Sequence, residues 1–211
     1  MIRLSVKLRP PVGQGLLEAT IAIGVVLVGL IGTVTLTTSS IISSGESENR
    51  IVAANLAREG IEAVRVIRDS NWLVGPSLAW DTGLNHVSYP GAITKLDPTT
   101  LRWSLYFISS TDFSNAFTKL YRDTDTGLYL QSEGALPATA SQTSYARQLK
   151  IYAVCRQGST ETATAAVCTA GTKVGLKVVS TVQWSQGGQT HKLSLEDWLY
   201  NWRFAPPTYV P

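Results

Sequence analysis

Hydrophobic and polar positions divide the chain into three regimes. From Leu16 to Ile42 the residues are uncharged and mostly apolar, apart from one carboxylate, Glu18, near the start. At about 1.5 Å per residue this run predicts a helix of roughly 40 Å, enough to cross a hydrocarbon core of about 30 Å with some tilt. After Gly45 the pattern becomes amphipathic: Ile51, Ala54, Ala57, Ile61, Val64 and Ile67 recur at spacings of three and four, as on one face of a helix. Arg58, Glu62, Arg65 and Asp69 form a second stripe of the same period, with opposite charges adjacent. The helix is expected to stop near Ser70-Asn71, so that a single helix of about 80 Å runs from about Gly15 to about Asp69.

The third regime is strand-like. Trp72 to about Thr100 reads as a long loop, with turn signals at Gly75-Pro76, Asp81-Thr82-Gly83, Pro90-Gly91 and Asp97-Pro98. Strands are predicted at 101–109, 118–122, 127–132, 146–155, 173–185 and 190–195. The clearest alternation sets Val174, Leu176, Val178, Val182 and Trp184 on one face against Lys173, Lys177, Thr181 and Gln183 on the other. Gln186-Gly187-Gly188-Gln189 is a strong hairpin signal. The predicted class is therefore α+β: a long N-terminal α-helix, half membrane-spanning and half amphipathic, packed on an antiparallel β-sheet head.

Charge adds an orientation. The 18 Lys and Arg against 15 Asp and Glu give +3, and Arg3, Lys7 and Arg9 account for all of it, because no acid precedes Gly13. The remainder is balanced, with no clustered basic patch of the kind nucleic-acid binding uses. The leader charges fit the positive-inside rule, placing residues 1–13 in the cytoplasm and the bulk of the chain outside. A secretory signal does not account for the pattern, since its apolar region is about 7–15 residues long and precedes its cleavage site. Here the small residue comes first, and cutting after Gly13 would leave the apolar run on the mature chain.

Both cysteines, Cys155 and Cys168, fall in the external part, where an oxidising compartment would pair them. Free buried thiols or half a metal site fit less well, because no second Cys pair or nearby His completes a ligand set. The segment they enclose, 156–167, is rich in Gly, Ser, Thr and Ala and has no convincing strand pattern. Asp123-Thr124-Asp125-Thr126-Gly127 opens like a calcium loop but lacks the third acid and distant Glu, so a hairpin turn is expected. His86 and His191 are isolated and read as surface or packing residues. No nucleophile stands beside a base, so neither catalytic residues nor a metal or other cofactor is expected. Of the six tryptophans most should be core or lid, with a minority exposed in the loops for sugars or another surface.

Gly13, the carboxylate at the fifth position after it, and the apolar run together resemble the class III signal of type IV pilins and the related pseudopilins of type II secretion. The match departs at Gln14, where most family members carry Phe, Met or Leu, so it leaves N-methylation of the first residue open. The stretch from Asn55 to Glu62 and on through Ile67 to Trp72 is similar to PilV-like minor pilins. The resemblance implies a division into a cytoplasmic leader (1–13), a transmembrane or assembly half of the helix (14–45), an amphipathic half (46–70) and an extracytoplasmic head (71–211). It implies cleavage between Gly13 and Gln14 by a prepilin peptidase, an inner-membrane assembly platform, and other pilin subunits as partners in a helical filament. The chain would be a single-pass inner-membrane protein before assembly and part of a cell-surface pilus afterwards. Glu18 would meet the N-terminal amine of a neighbouring subunit; the plain alternative is a carboxylate favoured by the helix dipole. Gly24, Gly29 and Gly32 would serve close helix packing or local unwinding, or simply reflect how common glycine is in membrane helices. A membrane-tethered module binding carbohydrate or DNA is the alternative of a different class.

Overall fold

The computed structural model describes residues 14–97, 99–109, 112–113, 115–163 and 166–202. The described residues fall into two units, divided between Glu48 and Asn49.

Helix α1 spans Gln14–Val74, 61 residues. It continues past the expected stop at Ser70-Asn71 because tertiary contacts hold its last turn. The Asn71 amide donates to the carbonyls of Trp80 and Thr82, and Trp72 is buried. The helix ends where Gly75 adopts a positive φ of 97° and its N–H returns to the Trp72 carbonyl at 3.2 Å.

In the second unit the strands are β1 (Gly91–Leu96), β2 (Trp103–Ile108), β3 (Lys119–Asp123), β4 (Tyr129–Leu130), β5 (Ala140–Gln157), β6 (Thr160–Thr162), β7 (Thr172–Gln186) and β8 (Gln189–Tyr200). They form one antiparallel sheet pivoting on β5. One edge of β5 is taken by β7 from Tyr145 to Arg156, and β8 lies outside β7. The other edge is shared in turn by β3, β1 and β6. The turn between β7 and β8 is Gly187-Gly188, with φ of 58° and 79°, the left-handed pair that matches strand twist in a two-residue hairpin.

The structure departs from the sequence expectation by two strands. The stretch read as loop up to Thr100 contains β1, whose Gly91 to Thr94 are all buried, so it carries no alternation to betray a strand. The segment between the cysteines contains β6, which borrows its regularity from pairing with β5.

The apolar face of β5 and β7 packs on the part of α1 that belongs to this unit. Ile61 and Val64 cluster with Leu149, Ile151, Leu176, Val178 and Leu199. Leu56 and Ala57 cluster with Leu120, Tyr145, Val182 and Trp184. The buried helix face runs Ala53, Leu56, Ala57, Gly60, Ile61, Ala63 and Val64. Ile51, which the periodicity placed on that face, is 63% exposed. The true face is turned slightly from the one that Ile51 suggests.

Candidate assembly segment and its anchorage in the head

Every residue from Gly15 to Ser44 is exposed, including Leu16, Leu17, Ile21, Val28 and Ile31 on all sides of the helix. A helix apolar all round belongs in lipid or against other helices, and this one is long and apolar enough to cross a membrane. Its threonine hydroxyls turn back on the helix: Thr33, Thr35, Thr37 and Thr38 each donate to the carbonyl four residues back at 2.8–2.9 Å. That matters where no water can solvate them. Glu18 lies on this exposed surface, one turn into the helix. Gln14 is the first helical residue, and Gly13 lies outside the described residues. Positions Gly24, Gly29 and Gly32 have open space around them, leaving room for a close neighbour.

The other half of α1 is fastened to the sheet by a polar cluster that sequence reasoning missed. Arg147 of β5 is fully buried on the helix-facing side. Its guanidinium donates to the Leu56 carbonyl at 2.7 Å, to Thr94 Oγ1 at 2.5 Å, to Gln131 Oε1 at 3.1 Å and to Glu59 Oε1 at 3.2 Å. Burial pushes the guanidinium pKa down, opposed by the Glu59 carboxylate. The Gln131 amide in turn donates to the carbonyls of Thr118 and Arg147, so it fixes the turn leading into β3, and β5, around the charge.

Next to this cluster the helix packs tightly on the sheet at Gly60. A Cβ on Gly60 would lie 2.8 Å from Ser180 Oγ, 3.2 Å from Arg147 Cδ and 3.3 Å from Leu149 Cδ1. The signal for both residues was present: Arg147 sits at the same parity as Tyr145 and Leu149, and Gly60 interrupts an amphipathic helix. The expected charged stripe is partly turned to the head, since Arg65 bridges Glu62 at 2.6 Å and Asp197 of β8 at 2.5 Å.

Cys155 and Cys168 form a disulfide, with Cα atoms 5.6 Å apart. It joins the end of β5 to the loop before β7. By loop length, replacing Cys155 or Cys168 with Ser is expected to cost about 2–4 kcal/mol. Thermal unfolding checks this, and an unchanged Tm under reducing agent would contradict it.

Asp123 is committed to the β3–β4 turn, where it accepts from the Thr126 hydroxyl at 2.6 Å and the Asp125 N–H at 3.2 Å. His191 stacks on Trp184 and His86 on Tyr89. Among the described residues no group of three or more His, Cys, Asp or Glu could hold a metal ion. No family model, curated protein or solved structure matches this chain.

Several head carboxylates are held below their ordinary range by hydrogen bonds. The Thr126 hydroxyl does this for Asp123, Lys95 for Glu133, and Arg156 followed by Tyr200 for Glu161. A depressed carboxylate pKa contributes stability above the unfolded value and loses it as pH falls through the folded one. From ordinary values of 3.8 for Asp and 4.5 for Glu, the urea midpoint is expected to fall once pH drops below about 5. A flat midpoint down to about pH 3 would contradict this.

Proposed function

We propose that this chain is a structural subunit of a type IV pilus-like filament, a minor pilin or pseudopilin. In this reading it is cleaved after Gly13 by a prepilin peptidase, inserted in the inner membrane with its head outside, and assembled by helix packing through an inner-membrane platform. The observation that carries the reading is one unbroken helix doing two jobs. Its first stretch exposes apolar side chains all round and bears a single carboxylate, Glu18, while its continuation buries one face against an antiparallel sheet. An anchor that only tethered a domain would need neither that carboxylate nor continuity with the core. The role involves no catalysis and no cofactor.

Mass spectrometry of membrane and sheared filament fractions tests the proposal. The expected N-terminus is Gln14, and the chain is expected to copurify with filaments. Intact Met1 in assembling cells, or retention of the whole population in the membrane after shearing, would overturn it.

A further inference from the structure

The face of the sheet turned away from α1 carries an aromatic surface that assembly through the helix leaves unused. Asp197 meets Arg65 of the helix, so its neighbours in β8, Trp198 and with it Tyr200, lie on the opposite face. The register aligns Tyr152, Lys177 and Trp198 in one row across β5, β7 and β8. The next row is Val154, Gly175 and Tyr200, at a spacing of about 7 Å along the strand. Trp198 and Tyr200 are each 38% exposed.

Both rings are positioned in advance. A Cβ at Gly175 would come within 3.2 Å of Tyr200 Cδ1, so the missing side chain lets that ring lie over the sheet. The Tyr200 hydroxyl donates to Glu161 Oε2 at 2.8 Å, and the other oxygen of that carboxylate takes Arg156 Nε at 2.9 Å and Nη2 at 2.6 Å. Lys177 stands 5.4 Å from the centroid of the Trp198 ring and 2.9 Å from Glu196.

We propose that this face, centred on Trp198 and Tyr200 and edged by the Glu161–Arg156 pair, binds a neutral glycan. A pyranose with equatorial hydroxyls presents an apolar C–H face, which an aromatic ring can cover, and a rim of hydroxyls, which a fixed carboxylate and guanidinium can meet. Because Arg156 and Glu161 already hold each other in place, little side-chain freedom is lost on binding. The charges also select against nucleic acid. Arg156 is matched by Glu161 and Lys177 by Glu196, whereas a phosphate backbone requires a surplus of cations. An aliphatic protein partner fits less well, since charged pairs interleave the rings.

The test titrates cellohexaose, a neutral glucan, into the full chain in a detergent without sugar headgroups, read by tryptophan fluorescence and calorimetry. Saturable binding is expected. Trp198→Ala should weaken it about tenfold and Tyr200→Phe, which keeps the ring but loses the Glu161 bond, about threefold. Trp198→Phe should recover part of the loss, which separates stacking from damage to the sheet. Absence of saturable binding, wild-type affinity in Trp198→Ala, or tighter binding of oligothymidylate or of a peptide on the same face would each overturn the proposal. None of these readouts involves cleavage at Gly13 or filament assembly, so the outcome is independent of the pilin reading.

Discussion

Arg147→Ala is expected to be the most damaging single substitution in the head, lowering stability by about 3–5 kcal/mol. The loss has two sources. Truncation leaves a cavity under Gly60 and Leu149, and it strips Thr94 Oγ1 and Gln131 Oε1, both in buried side chains, of their shared donor. The pair with Glu59 makes a sharper test. Glu59→Gln leaves the guanidinium buried without its counter-ion and should cost about 3 kcal/mol, less than a fully buried partner would because Glu59 Oε1 belongs to a side chain that is 34% exposed. Adding Arg147→Met to Glu59→Gln should then cost less than the two single losses together, because an apolar side chain of similar length no longer needs a counter-ion. Urea unfolding of the full chain, followed by tryptophan fluorescence, reads all four proteins. Strict additivity would mean that Glu59 and Arg147 do not act as a pair.

Glu18→Gln is expected to be cleaved and inserted normally yet strongly depleted from filaments. The substitution keeps size and hydrogen-bonding capacity while removing charge. If Glu18 only complemented the helix dipole, the loss would be at most about 1 kcal/mol and incorporation would persist. If, as the proposed assembly requires, it meets the amine of a neighbour's Gln14, the amine is stranded in a low-dielectric contact at about 3–5 kcal/mol per subunit. Quantitative mass spectrometry of sheared filaments against the membrane pool separates the two. Incorporation of the variant at the wild-type level would refute the charge-partner role. So would a pyroglutamate first residue in assembled wild-type material, since it has no amine to pair.

What was legible in the residues was whatever repeats with a period. The helix from Gln14 through its amphipathic half, the alternation along β7 and the double-glycine turn that follows it announce themselves in sequence, because 3.6- and 2-residue periods map directly onto one face. The Cys155–Cys168 bridge was legible for a different reason, there being only two cysteines to pair. Strand β1 was hidden because it is buried along most of its length and so does not alternate. Strand β6 was hidden because three residues of Thr and Glu acquire strand geometry only from their partner.

The sequence by itself determined the helix and its change from all-apolar to amphipathic, since both follow from local periodicity and from the cost of placing charge in lipid. Only the tertiary structure decided where that helix stops, which face it buries and what fastens it. Asn71 reaches Trp80 and Thr82 across 9 and 11 residues, and Arg147 reaches Leu56 across 91. The first depend on how the segment after the helix folds back on it, and the second on the register in which β5 is laid against the helix. A buried arginine looks the same in sequence as an exposed one until that register is set, because only packing determines whether water or protein supplies its hydrogen-bond partners.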